Sequence, residues 1–395
     1  KFITLNGFVP SVDILSCSIS GAPWVNHEWL FQVILYNIFV RWGADGLITM
    51  QVFVVAATML FLLFLGYSKK RQLITTIMLL LLYMVYQQRF TIRPDLYSLL
   101  FFSVYIFVLS LHIDKKWALP VLFAVQVVWS NMHGFFFFGP LFVLIGIVSE
   151  CVKRCVPLPY EWNDSGRLTD DEFKRIKMIF IFVVLACLFN PLFVEGAIYP
   201  IGVFFSLSGE NKIFFDHIQE LQKPIAKGTL FDQGHFLYYK MLIMLSTISF
   251  FLNRRRIDIS ALLFWIIFLV FSLKATRNTP FFAFAAYLVF ITNIFNLNYK
   301  DIIPIRFTDK KFLHLTMIVF KLLFLLWVVK YCQAVSLRSY YDFNKYELKS
   351  DFGGISIRSY PDKAADFLVE NEIKGNFFND FNSGAYILGR TSPNI

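Results

Sequence analysis

Apolar runs of 14 to 23 residues recur along this chain, each bounded by charged or turn-forming residues. They lie at 45–67, 73–88, 95–112, 117–130, 135–151, 177–190, 236–253, 258–273, 280–296 and 312–333. Length and continuity predict ten membrane-spanning helices. At about 1.5 Å per residue, a run of 14 to 16 residues covers only about 21–24 Å of a hydrocarbon core about 30 Å thick. Such short spans must extend into their flanks, thin the bilayer or form a re-entrant hairpin. The two runs within 117–151 are the least span-like, and losing both would leave every other loop on its side.

The connections sort by charge. One set carries Lys69, Lys70 and Arg71; Lys115 and Lys116; Lys153 through Lys177; Arg254, Arg255 and Arg256; and Lys300, Arg306, Lys310 and Lys311. The positive-inside rule assigns this set to the cytoplasm. Residues 1–44, 88–94, 131–134, 191–235 and 274–279, with the tail from about 334, then face outward. The loop at 152–176 reads as a solvated connector. In the tail, Pro361 opens a helix through Val369. Gly375 follows its end, and Asn376–Asp380 suits a strand and turn. The expected organisation is therefore an all-α polytopic membrane domain over 1–333, with an outer amphipathic loop at 1–44 and an outer loop at 191–235. Residues 334–395 begin a small extracytoplasmic α/β domain.

Composition supports membrane integration: 57% of residues are hydrophobic, 16% are charged and the mean hydropathy is +0.59. That is more apolar surface than a soluble chain of 395 residues hides in one core. The net charge of +10 lies mostly in the basic loops, which argues against a nucleic-acid partner and for the lipid bilayer. Five scattered cysteines make no disulfide framework, and Cys151 and Cys155 lack a second pair to complete a metal site. The 48 phenylalanines read as lipid-facing and inter-helix filler. The chain opens on Lys1 with no leader pattern before Gly7, and it stops inside a segment that reads as folded. A piece of a longer protein is expected.

Chemistry-bearing residues collect in the outward set. His27 and Glu28 lie on an amphipathic stretch with Trp24 and Trp29. A carboxylate there can act as a general base or hold a divalent cation, with the imidazole tuning it; headgroup-level helix polarity is the alternative. Asp13 is a second carboxylate candidate, with a turn or cap as its other reading. Arg89 and Arg93 flank Phe90-Thr91-Ile92, and Arg277 precedes Thr279-Pro280. Guanidinium groups at outer span ends suit a lipid phosphate, either at a specific site or by snorkelling to ordinary headgroups. Asn131 and His133, in a very short loop, can hydrogen-bond a hydroxyl-rich ligand or orient a carboxylate. Asn190 opens the longest outer loop, which contains Glu195 and is long enough to bind an acceptor. Mid-span ionisable groups are almost confined to Lys321, which weighs against an ion-coupled transporter.

Several segments, in order, resemble an uncharacterised group of bacterial polytopic membrane proteins. They are Trp24-Val25-Asn26-His27-Glu28-Trp29-Leu30, Arg93-Pro94-Asp95, Trp129-Ser130-Asn131-Met132-His133-Gly134, Asn190-Pro191, Arg277 and Gly375-Asn376-Phe377-Phe378-Asn379-Asp380. That group is similar in turn to the GT-C superfamily of lipid-linked-sugar glycosyltransferases, which shares its architecture with protein O-mannosyltransferases, aminoarabinose transferases and bacterial oligosaccharyltransferases. The resemblance implies inverting sugar transfer from a polyprenyl-phosphate donor to a cell-envelope glycan or protein, on the periplasmic or extracellular face of the bacterial cytoplasmic membrane. It gives Glu28 the role of catalytic carboxylate beside His27, and Arg89, Arg93 and Arg277 the donor phosphate. The better-known members carry an acidic pair where this chain has His27-Glu28. It also implies a further acidic motif upstream, which would make Glu28 a secondary ligand. A flippase for a lipid-linked saccharide and a non-catalytic envelope scaffold are the competing readings.

Overall fold

Thr279-Pro280 opens the helix around which the larger part of the chain is built. Proline suits the first helical turn, where no backbone N–H is needed. From Phe281 to Tyr287 seven consecutive side chains are buried, so this helix is covered on every face. The computed structural model describes residues 1–16, 18–68, 71–206, 218–225, 236–297, 310–336, 360–373, 375–380 and 383–391. Among them every regular element is helical, and a single isolated bridge joins Val12 and Pro23.

In chain order the helices are α1 (Phe2–Asn6), α2 (Trp29–Gly66), α3 (Gln72–Tyr86), α4 (Pro94–Leu111), α5 (Ala118–Met132), α6 (Phe138–Cys155) and α7 (Asp170–Ala186). There follow α8 (Phe193–Ser206), α9 (Leu237–Leu252), α10 (Ile259–Lys274), α11 (Thr279–Asn296), α12 (Lys310–Ser336), α13 (Asp362–Glu370) and α14 (Gly384–Thr391). Nine of the ten expected runs coincide with a helix within a few residues at most ends, and the first forms the second half of α2. Helix α2 is interrupted at Gly43, whose φ of 62° and ψ of −154° are open to glycine and strained for other residues. Among the described residues four stretches are long and apolar enough to cross a membrane: Trp29–Gly66, Pro94–Leu111, Gly134–Cys155 and Thr276–Asn296.

Two compact units divide the chain. One comprises Val25–Gln32 and Thr49–Ile302, the other Lys1–Trp24, Val33–Ile48 and Ile303–Ile395. In the first, α11 packs against α3, α4, α9 and α10, while α7 packs against α5 and α6. The filler is phenylalanine: the ring of Phe102 lies 4.6–6.3 Å from those of Phe138, Phe142, Phe264, Phe268, Phe281 and Phe284. Such pairs add about 0.5–1.5 kcal/mol each beyond area burial. Close approach needs glycine at two points. A Cβ on Gly66 would fall 2.1 Å from the hydroxyl that Tyr287 donates to the Leu62 carbonyl, and one on Gly139 would fall 2.0 Å from Gln126 Oε1.

The basic loops contact one another. Arg256 Nε donates to Glu161 Oε2 at 2.6 Å, Arg71 lies over the Phe295 ring at 4.7 Å, and Arg175 donates to the Asp114 carbonyl. The loop at 152–176 exposes Glu161, Asp164, Asp170 and Asp171 as a solvated connector does, and departs from that expectation at its start. Lys153 is fully buried and pairs with Asp258 Oδ1 at 2.7 Å, and Glu150, 1% exposed, binds Arg154 Nε at 2.9 Å. Charges that leave water need partners, and folding the loop over the turn at 253–258 supplies them. A second departure is α8, an apolar helix with Pro200 inside, where an outer loop over 191–235 was expected.

In the other unit, α13 begins after Pro361, as its proline suggests, and α14 follows. Asp362 accepts from Tyr386 and Arg390, and the rings of Tyr360 and Tyr386 stack at 4.7 Å. Residues 376–380 are neither helix nor strand: a strand exists through its ladder, and no described segment pairs with them. The expectations for Lys69, Lys70, Lys300, Arg306, residues 207–217 and 226–235 of the outer loop and residues 337–359 fall outside the described residues, as do the side chains of Lys310 and Lys311.

Candidate functional site

Glu28 is the N-cap of α2, yet its carboxylate makes no bond to the helix end it caps. It turns instead to two imidazoles. Its Oε1 lies 3.5 Å from His27 Nε2 and 3.9 Å from His133 Nε2. The His27 ring packs on Tyr199 at 4.6 Å and over Gly134, where a Cβ would meet it at 3.4 Å.

His133 follows α5 and is positioned from α4. Trp129 Nε1 donates to Ser98 Oγ at 2.8 Å, and Ser98 Oγ stands 2.8 Å from His133 Nδ1. The indole can only donate, so the Ser98 hydroxyl hydrogen is free for Nδ1. We assign that order, in which the ring proton sits on Nε2, toward Glu28. Burial first, and then the nearby positive charges of His27, Arg277 and Arg89, lower the His133 pKa to about 3 against the pull of Glu28. His133 is thus a neutral donor at physiological pH.

The arginines form the second half of the cluster. Pro94 starts α4 and Asp95 occupies its first turn, which suits a carboxylate. Arg89, on the turn after α3, donates through Nε to Asp95 Oδ2 at 2.7 Å and through a terminal nitrogen to the same oxygen. Glu220 Oε2 accepts from Arg89 at 2.9 Å and from Arg93 at 2.7 Å. Burial would raise the Glu220 carboxyl, but the two guanidinium groups outweigh it and leave its pKa below the ordinary value. Burial likewise opposes the Arg89 charge, and Asp95 and Glu220 overcome it. The segment bearing Glu220 is pinned by Thr276, whose Oγ1 donates to the Glu220 carbonyl at 2.9 Å and whose N–H donates to that of Gln222 at 2.8 Å.

Arg277 is next in the chain. Its Cζ lies 5.7 Å from the centre of the Phe135 ring, and Phe135 meets His133 edge to face at 4.6 Å. No carboxylate among the described residues comes within 4.0 Å of Arg277, and its Nε is buried without a hydrogen bond. The fields of Glu220, Arg89, Asp95 and Arg93 reach it. His27, Glu28, His133, Arg89, Arg93 and Arg277 therefore share one neighbourhood, with Phe135 between its acid–imidazole half and its arginine half.

The remaining candidates sit elsewhere or are consumed locally. Asn131 accepts from Trp29 Nε1 at 2.8 Å and donates to the carbonyls of Val127 and Phe189, each at 2.7 Å. Asn190 closes its own turn, donating to Cys187 O and Phe193 O and accepting from Leu192 N–H. Glu195 is exposed on the first turn of α8. Asp13 belongs to the other unit, where its Oδ1 accepts from Leu15 and Ser16 N–H at 2.8 Å, bonds that lower its pKa. Among the described residues no group of three His, Cys, Asp or Glu side chains is arranged to hold a metal ion.

Asp95, Ser98, Trp129, Glu220 and Thr276 complete the site without having been singled out as site residues. Asp95 had a signal, an acid in the first turn after proline and six residues from Arg89. Glu220 had none, being 131 residues from Arg89. No family model, curated protein or solved structure matches this chain, and the relation to GT-C enzymes stands as a proposal.

Proposed function

We propose that this chain belongs to a membrane glycosyltransferase that moves a sugar from a polyprenyl-phosphate donor to a cell-envelope acceptor. The observation that carries the reading is the pairing, in one neighbourhood, of a carboxylate held between imidazoles with three guanidinium groups, one of which has no ion-pair partner among the described residues. The first half suits activation of a hydroxyl and the second a departing phosphate.

Glu28 takes the proton of the acceptor hydroxyl as its oxygen bonds to the anomeric carbon. The bond from that carbon to the phosphate oxygen breaks, and the electron pair leaves with polyprenyl phosphate. Arg89, Arg93 and Arg277 hold the charge that develops there. His133, neutral and held by Ser98, donates through Nε2 to orient the carboxylate or a sugar hydroxyl.

Ten spans, with the cluster on the outer face of the bacterial cytoplasmic membrane and the tail on the same side, are part of the proposal. It is supported by the way the ends associate: Asp114 meets Arg175 at the start of α7, Glu161 meets Arg256 and Arg71 meets Phe295 at the end of α11, while the turns bearing Arg93, Glu220, Thr276-Arg277 and Phe135 contact each other.

The test uses membranes containing the full-length protein with Glu28→Gln or Arg93→Ala, supplied with a radiolabelled polyprenyl-phosphate sugar. Transfer to envelope glycan or protein is expected to fall by about 10²–10⁴ for Glu28→Gln, the range of general acid–base contributions. Undiminished transfer in both variants removes the assignment.

A further inference from the structure

Glu220 occupies the arginine site in the manner of a ligand. A single oxygen, Oε2, receives Arg89 and Arg93 together, at 2.9 and 2.7 Å, as an oxygen of a bound phosphate would. The two arginines are not held alike. Arg89 is 14% exposed and also bound to Asp95, whereas Arg93 is 52% exposed and has Glu220 as its ion-pair partner. Glu220 itself is 35% exposed, within reach of an incoming anion. The grip on its backbone is independent of its carboxylate, because Thr276 binds the carbonyls of residues 220 and 222. Among the described residues Asp95 and Glu220 pair with Arg89 and Arg93, while Arg277 has no carboxylate within 4.0 Å and a buried Nε without a hydrogen bond.

We infer that the Glu220 carboxylate is an intrachain stand-in for the ligand phosphate: the phosphate displaces it from Arg89 and Arg93 and engages Arg277 as well. The inference rests on the reading of this cluster as a lipid-phosphate site. It makes Glu220 a regulator of affinity. A phosphate anion replaces the carboxylate on Arg89 and Arg93, so the exchange leaves those two arginines neutralised. The gain over the resting state comes from Arg277, with which Glu220 forms no ion pair. Phosphates lacking a sugar are therefore sufficient probes.

The experiment measures dissociation constants by titration calorimetry for the full chain in detergent, with dodecyl phosphate and, separately, inorganic phosphate. Glu220→Gln and Glu220→Ala are expected to bind dodecyl phosphate about tenfold more tightly than the native chain, equivalent to about 1.4 kcal/mol. The alanine variant retains the backbone bonds to Thr276, and so reports on the carboxylate alone if the glutamine variant folds poorly. Arg93→Ala should weaken binding in either background. Unchanged or weaker binding by both Glu220 variants, with Arg93→Ala still weakening it, overturns the displacement and leaves the phosphate site standing. Native affinity retained in Arg89→Gln and Arg93→Ala removes the phosphate site and this inference with it. Dodecyl phosphate should bind more tightly than inorganic phosphate. Equal affinities would overturn the lipid as its source.

Discussion

Replacing Asp95 by asparagine isolates the most buried ion pair of the site. Arg89 and Asp95 have side chains only 14% and 9% exposed, and their atoms meet at 2.7 Å through Arg89 Nε. At about 3 Å and an effective dielectric constant of about 20, their attraction is about 5 kcal/mol. Desolvation offsets much of this, and Asp95 Oδ1 has no partner of its own, so the pair is less than fully satisfied. Removing one member leaves the other charge stranded, although Arg89 keeps Glu220. The expected cost of Asp95→Asn is about 2–3 kcal/mol, toward the low side of the 3–5 kcal/mol typical of a broken buried pair. Asp95→Asn with Arg89→Gln should cost less than the sum of the two single changes, giving a coupling of about 2 kcal/mol. Equilibrium unfolding in mixed micelles of rising SDS fraction, followed by tryptophan fluorescence, yields all four corners of the cycle. A coupling below about 0.5 kcal/mol, the value of additive sites, would refute the reasoning.

Two further outcomes follow from the geometry. The His133 pKa, pushed down to about 3 by burial, lies below the value of about 6.5 for an unfolded imidazole. Between these values the unfolded chain binds the extra proton, so stability from this residue is present above about pH 6.5 and is lost as pH falls toward 3. Nitrogen NMR of labelled histidine should show one ring with its proton on Nε2 down to about pH 4, and titration of that ring near pH 6.5 would contradict it. Lys153→Met should cost about 3 kcal/mol by stranding Asp258, which keeps only its cap on Ser260 N–H. Limited proteolysis within 156–169 should quicken, and native cleavage rates would argue against the buried pair.

Much of the helical frame was legible because membrane-length runs announce themselves locally. Proline at 94 and 280 marks the starts of α4 and α11, and Gly43 interrupts α2 beside the boundary expected at 45. The phenylalanines proved to be inter-helix filler around Phe102. What escaped is information that exists only between segments. A lysine in a basic loop reads as solvated, and nothing local tells that Asp258 will meet Lys153. The apolar run of α8 was masked by its proline and by the long polar stretch after it. In the site, His27, Glu28 and the arginines were visible as chemistry-bearing residue types in turns. Glu220 and Ser98 were not, since each matters through a partner distant in the chain.

Asn131 shows how such a protein can mislead a mutational survey. One amide joins the start of α2, the end of α5 and the residues just past α7, through Trp29, Val127 and Phe189. It behaves as a keystone among three helices, two residues from His133. Cutting it to alanine would loosen the scaffold that aims the neighbouring imidazole, and lost turnover would imitate the removal of a substrate contact. Loss of function at this position therefore measures architecture, and should be sorted with thermal stability before it is counted as chemistry.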